Sequence, residues 1–222
     1  MPDLITVTRY GFVNAYLVTE DDGLTVIDTM IPGSAKTILA AAEKQSLPIR
    51  RIVLTHAHGD HIGSLDALAE QLPDAEVIIG EREARLLAKD TTMEPGEPDA
   101  KLRGGYPGAR TKPSRTVTEG ERIGSLEVIA TPGHTPGHLA FVDLRDRTVY
   151  AGDTFATLGG MATTARANPL FPLPAMATWH RPSVVESARR LRALEPARLA
   201  PGHGRIVESP AAAMDAAIAR AA

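Results

Sequence analysis

The sequence predicts a layered α/β domain, with mixed sheets in the middle and helices outside. Three observations predict it. Both halves of the chain hold short apolar strands followed by helical periods. Four polar clusters fall at the ends of predicted strands, most of them beside glycine, which permits sharp turns and close approach. No break in composition separates the halves, so residues 1–222 read as one domain.

In chain order, VNAYLVTE and LTVIDT flank Asp21-Asp22-Gly23, a turn signal, and read as a β-hairpin. SAKTILAAAEKQ has apolar residues at helical spacing, with Ser34 as its expected N-cap. RIVLT (51–55) is a short strand, SLDALAEQL (64–72) a helix and EVIIG (76–80) a buried strand. From Asp90 to about Arg115 a Gly- and Pro-rich run has no sustained period and is expected to be a long loop or lid. Strands resume in RIGSLEVIAT, LAFVDL and TVYAG. A second irregular segment, ANPLFPLPAMATW (167–179), is apolar and carries three prolines. PSVVESARRLRALEP is a helix with Pro182 and Ser183 near its start. RLAPGHG is a strand entering a turn, and SPAAAMDAAIARAA a terminal helix.

The chain has 222 residues, 43% of them hydrophobic, enough for a substantial core. With 24 basic against 27 acidic residues, the net charge of −3 gives no reason to expect nucleic acid or an anionic membrane as partner. No cysteine is present, which excludes disulfides, thiolate nucleophiles and thiolate metal ligands. The first residues show no basic-then-apolar leader, and no apolar run approaches the roughly 18–20 residues of a bilayer span. The expected location is the cytoplasm. The expected partner is a small-molecule substrate with an apolar portion, on the strength of the apolar segment at 168–179, and a homodimer is one allowed assembly.

The chemistry concentrates in THAHGDH (55–61), which holds His56, His58, Asp60 and His61. His134 in TPGHTPGH, Asp153 in YAGDT and His203 in APGHG sit at other strand ends. Without thiolates, a borderline cation such as Zn²⁺ takes imidazole nitrogen and carboxylate oxygen. Two histidines two residues apart at a strand end can reach one ion while Ala57 points away. Asp60 and His61, on the next turn, can reach a second. Five histidines and two aspartates suit two ions about 3.5–4 Å apart that share a hydroxide. No serine lies in a G-x-S-x-G context, and none is needed as nucleophile.

THAHGDH, GHTPGH, GDT and PGHG, as they stand here, resemble the motifs of the metallo-β-lactamase-fold hydrolase superfamily, in its dinuclear glyoxalase-II/lactonase-like branch. The resemblance covers nearly the whole chain. It implies a four-layer αββα sandwich with the site at one edge of the two sheets. It assigns His56, His58 and His134 to one metal and Asp60, His61 and His203 to the other, with Asp153 bridging. Asp28 matches an aspartate that lies beside the ligands in the family, and His138 is read as a supporting residue of the same kind. The implied cofactor is two divalent ions per chain, zinc first, with iron or manganese as alternatives.

The implied activity is cleavage of a carboxylic ester, lactone or thioester by a metal-held hydroxide, with Asp60 and a metal-bound water as the candidate proton carriers. Departures from known subfamilies narrow the substrate. β-Lactamases lack the bridging aspartate. The glyoxalase-like thioesterases carry a glutathione-binding helical domain, and only 19 residues follow His203. Acyl-homoserine lactone lactonases carry a tyrosine where this chain has Ala156. The alternatives are a phosphodiesterase, a β-lactamase-like side activity, a mononuclear iron sulfur dioxygenase and a non-catalytic binding module. Tyr106, Phe155, Phe171, Met176, Trp179 and His180 are expected to contact substrate, with Leu170 and Leu173 beside them. Packing of an irregular loop onto the sheet is the competing account of these side chains.

Overall fold

The computed structural model describes residues 4–222. Its strands are β1 (Ile5–Arg9), β2 (Val13–Glu20), β3 (Gly23–Ile27), β4 (Ile49–Leu54), β5 (Glu76–Gly80), β6 (Arg115–Val117), β7 (Arg122–Ile123), β8 (Leu126–Ala130), β9 (Leu139–Asp143), β10 (Thr148–Ala156), β11 (Ala162–Thr163), β12 (Arg198–His203) and β13 (Val207–Glu208). Its helices are α1 (Ala35–Glu43), α2 (Gly59–Ile62), α3 (Leu65–Gln71), α4 (Glu81–Leu87), α5 (Leu173–Met176), α6 (Arg181–Ala193) and α7 (Ala211–Ala219). The strands run β6-β5-β4-β3-β2-β12-β10-β9-β8-β7, with β1, β11 and β13 pairing to β2, β10 and β12. Between β12 and β2 the register holds one pair, His203 with Val13, so this junction is a seam between two half-sheets.

Alternation along the strands builds three apolar layers. Leu17, Val26, Ile52, Leu54, Val77 and Ile79 face outward and pack with Ile38 of α1 and Leu65 and Leu68 of α3. Their neighbours Val18, Ile27, Val53 and Ile78 face inward and meet Leu126, Val128, Phe141 and Tyr150 of the other half-sheet. On the far side Ile129, Val142, Val149 and Leu199 pack with Ala188 and Leu191 of α6 and Met214 and Ala217 of α7. Helices, sheet, sheet, helices: the architecture is the expected four-layer αββα sandwich. Among the described residues, no helix is long and apolar enough to cross a membrane.

The hairpin around Asp21-Asp22 forms in antiparallel register. Three local features differ from expectation. β1 adds a strand beside β2, which the short alternation of ITVTR does not announce. α4 follows β5 directly, with Gly80 as its N-cap. Ser34 stands at the N-cap of α1 but makes no side-chain cap, because its hydroxyl donates to the Ile31 carbonyl at 2.8 Å. The segment 90–114 forms neither helix nor strand.

Candidate metal centre

The ligand candidates reach the seam from strand ends and from the turns beside them, except Asp153, which lies inside β10 and not at the expected strand end. β4 stops at Leu54 and hands the chain to His56 and His58, and the single turn of α2 then presents Asp60 and His61. His134 comes from the loop before β9, Asp153 from within β10, and His203 ends β12. Asp153 is aimed by a bulge, since the β10–β12 register shifts on both sides of Gly152. Gly152 has φ +48°, and a Cβ there would lie 2.5 Å from His138 Nε2, so the bulge requires glycine. The turn after β12 is pinned by Asn14, whose amide donates to the carbonyls of Gly204 (2.7 Å) and Pro201 (3.0 Å).

The seven side chains form overlapping groups: His56, His58 and His134; His56, His61 and Asp153; Asp60, His61 and His203. Within each group the ligating atoms lie within 4.8 Å of one another. All but Asp60 are buried, and Asp60 keeps 40% of its side chain exposed. Asp153 lies between the sets: Oδ1 is 3.3 Å from His61 Nε2, while Oδ2 is 3.4 Å from His134 Nε2 and 3.2 Å from His203 Nε2.

The outward hydrogen bonds fix the histidine tautomers. Asp28, itself at φ +62°, accepts from His61 Nδ1 at 2.7 Å and from the Thr55 hydroxyl at 2.8 Å. The Thr55 proton is therefore spent on Asp28, and its oxygen accepts from His56 Nδ1 at 3.0 Å. Thr178 donates to the carbonyl of Thr164 or Pro174, so it accepts from His134 Nδ1 at 3.1 Å. His58 Nε2 donates to the Arg103 carbonyl at 3.0 Å, and His203 Nδ1 to that of Phe12 at 3.3 Å. In each ring the other nitrogen points into the centre. Metal-bound histidines are held in this way.

The donor set fits divalent metal. His56 Nε2, His61 Nε2 and Asp153 Oδ1 are buried without a hydrogen-bond partner, and His58 Nδ1 faces His134 Nε2 at 3.0 Å. Converging bare acceptors in a buried site require a cation. Without metal, protons take that role. Burial opposes charge on His203, but Asp153 and Asp60 outweigh it and raise its pKa to about 9. His61 is likewise raised by Asp153 and Asp28 against burial. Burial, reinforced for His56 by the neighbouring histidines, holds His56 and His134 well below the ordinary imidazole value.

His138 is not placed to ligate. Its Nε2 accepts the Asp153 backbone N–H at 2.9 Å, and its Nδ1 meets the Thr131 hydroxyl at 2.8 Å. Burial lowers its pKa to about 3, so it is a neutral prop for the Asp153 backbone.

Glu83 carries no motif, yet it ties the two ligand loops together. Its Oε2 accepts the Ala57 N–H at 2.8 Å, and its Oε1 accepts the Thr135 hydroxyl at 2.6 Å and the Gly137 N–H at 2.9 Å. The carboxyl is fully buried, which raises its pKa to about 7 against those three donors.

The centre opens into a cleft of about 150 Å³, walled by Phe12, Gly104, Gly105, Phe171, Leu173 and Ala177. Of the expected substrate contacts, Phe171 lines it and Met176 lies exposed on α5. The others are placed elsewhere. Phe155 is fully buried in the outer core with α6 and α7, because its position on β10 points away from the centre. The Trp179 indole donates to the Ala100 carbonyl at 2.8 Å, which ties the two irregular segments together. His180 stands at the N-cap of α6 and bonds Ser183 at 2.8 Å. The Tyr106 ring packs on His58 at 4.7 Å, with its hydroxyl buried outside the cleft lining. Phe12, absent from the expectations, meets Phe171 edge-on at 5.3 Å.

A family model of the metallo-beta-lactamase superfamily matches residues 8–203. The uncharacterized protein YobT of Bacillus subtilis (strain 168) is 46% identical over 94% of this chain and 90% of its own length. The probable metallo-hydrolase YflN of the same strain is 32% identical over 86% of this chain and 80% of its own. Among solved structures, TTHA1623 in a di-iron-bound form superposes with a TM-score of 0.67 at 28% identity, covering 96% of each chain.

Proposed function

The chain belongs to the metallo-beta-lactamase superfamily, and on that premise we propose that it is a dinuclear metal-dependent hydrolase of carboxylic esters, lactones or thioesters. The observation that carries this is the set of five histidines, each with one nitrogen tied outward and the other turned into the centre that holds Asp60 and Asp153. His56, His58 and His134 would hold one ion, Asp60, His61 and His203 the other, with Asp153 shared. When bound, such ions supply Lewis acidity and make hydroxide available near neutral pH. Zinc suits these donors, and so does the iron named for TTHA1623.

Hydrolysis adds water across the acyl–oxygen or acyl–sulfur bond: hydroxyl stays on the acyl carbon and a proton reaches the leaving atom. Asp60 is our candidate to carry that proton, a reading supported by its being the one substantially exposed ligand at the cleft. Burial pushes its carboxyl up, but the hydrogen bond with His203 and the nearby His61 outweigh this and keep it ionised. Phe12, Phe171 and Leu173 wall the cleft with carbon. Elsewhere in the lining only glycine fits at position 104, where a side chain would run into the His58 ring.

The test is a panel of esters, lactones, thioesters, phosphodiesters and a chromogenic β-lactam, offered to metal-loaded protein. Turnover of an ester, lactone or thioester well above a His58→Ala control is the expected result. Turnover of none of the panel above that control would remove the reading.

A further inference from the structure

The cleft over the centre is smaller than the roughly 300–1,000 Å³ that encloses a drug-sized ligand. Most of any larger substrate must therefore leave it across the rim. That rim is apolar. Tyr10, Leu170, Leu173 and Met176 are 73%, 77%, 58% and 62% exposed, and they lie on two segments that meet where Phe12 packs on Phe171. The other large exposed hydrophobics among the described residues, Leu144 and Leu194, lie on neither segment. Exposed apolar side chains gathered at one place mark a binding surface. Leu173 belongs to both features, lining the cleft while more than half exposed, so the patch continues the cleft outward. Met176 follows Leu173 by three residues on α5, which places both on one helix face.

The cleft wall also lacks something. No lysine or arginine lines it. An acyl group bearing its own carboxylate would need such a partner to offset desolvation. An uncharged chain needs none.

We propose that the substrate's acyl portion is an uncharged, extended apolar chain, held at its start by Phe12 and Phe171 and carried out of the cleft over Leu170, Leu173 and Met176. This rests on the hydrolase reading and names its substrate class. Continuity between patch and cleft favours a substrate chain over a second copy of the protein or a lipid surface as the occupant.

The test uses metal-loaded full-length protein and straight-chain acyl thioesters from acetyl to decanoyl, with succinyl as the charged control. Binding of 2-dodecanone, which cannot be hydrolysed, is measured by calorimetry alongside. kcat/KM is expected to rise about two-fold per added methylene on this half-exposed surface. Succinyl is expected to fall about ten-fold below butanoyl. A Leu173→Ser/Met176→Ser double variant is expected to flatten the chain-length slope and weaken ketone binding by about ten-fold. Both side chains are exposed, and circular dichroism checks that the variant folds. A flat slope in the wild type, an unchanged slope in the variant or a preference for succinyl overturns the proposal. So does a variant whose only change is in self-association by sedimentation or in binding to phosphatidylcholine vesicles. If no thioester, ester or lactone turns over but ketone binding weakens in the variant, the chain site stands and the hydrolase reading falls. If thioesters turn over without a chain-length slope, the reverse holds.

Discussion

Asp28 Oδ2 accepts a hydrogen bond from His61 Nδ1 across 2.7 Å, and this contact decides which nitrogen of His61 faces the centre. The same oxygen takes the Thr55 proton, so the carboxylate also sets His56 through that hydroxyl. One side chain at the end of β3 thus orients a histidine of each proposed ion.

Replacing Asp28 by asparagine keeps a residue tolerant of φ +62° but removes the charge. The expected loss is about 10–100-fold in metal affinity, read by competition with a chromogenic chelator. An affinity equal to wild type would remove Asp28 from the orienting role.

Glu83 is expected to matter for both loops it joins. A Glu83→Gln amide must turn its NH₂ toward either the Ala57 or the Gly137 N–H, leaving donors face to face. Stability is expected to fall by about 1–3 kcal/mol, read by denaturant unfolding of metal-free protein. Metal affinity is expected to fall with it, since Ala57 separates His56 from His58. A variant with wild-type stability and affinity would make the three hydrogen bonds incidental.

Gly152→Ala is expected to be costlier than an ordinary surface change. The added methyl meets the His138 ring at a backbone angle that disfavours side chains, and His138 in turn holds the Asp153 backbone. A loss of about 2–4 kcal/mol is expected, with a lower melting temperature in the absence of metal. A melting curve like that of wild type would mean that the bulge relaxes freely.

The metal-free centre should be pH-sensitive with a defined sign. His203 is raised to about 9, so below that value it holds a proton that a metal ion must displace. Apparent metal affinity should therefore rise with pH from neutral toward 9, with proton release detectable by calorimetry in buffers of different ionisation enthalpy. The proton also stabilises the metal-free fold, because the folded-state value lies above the unfolded one. That contribution is present in full below the ordinary histidine range and is lost as pH rises through about 9. Metal-free protein should lose stability across that window while metal-loaded protein does not. Parallel behaviour of the two forms would contradict the assignment.

The ligand candidates are legible in the sequence because histidine and aspartate at strand ends, beside glycine, have few other uses. The partners that fix their tautomers are less so. The carbonyls of Phe12 and Arg103 belong to the backbone and leave no mark on residue type. Thr55 and Thr178 look like any threonine in or after a strand. Glu83 reads as a solvated charge in the first turn of a short helix, and only the closure of two distant loops onto it shows that it is buried. Phe155 misleads for the opposite reason. It lies two residues past Asp153, and the irregular pairing of β10 with β12 over Gly152–Ala156 sends it into the outer core. The strand pattern carries the sandwich well, whereas β1 and α4 are short enough to need their neighbours.

The most direct measurement is metal content against activity: metal-free protein titrated with zinc or iron, with bound ion per chain and ester, lactone or thioester hydrolysis followed together. The dinuclear account predicts two ions per chain, hydrolysis that reaches its plateau with the second, and loss of both ion binding and hydrolysis in His58→Ala. One ion per chain, with no hydrolysis above that variant at saturation, would contradict it.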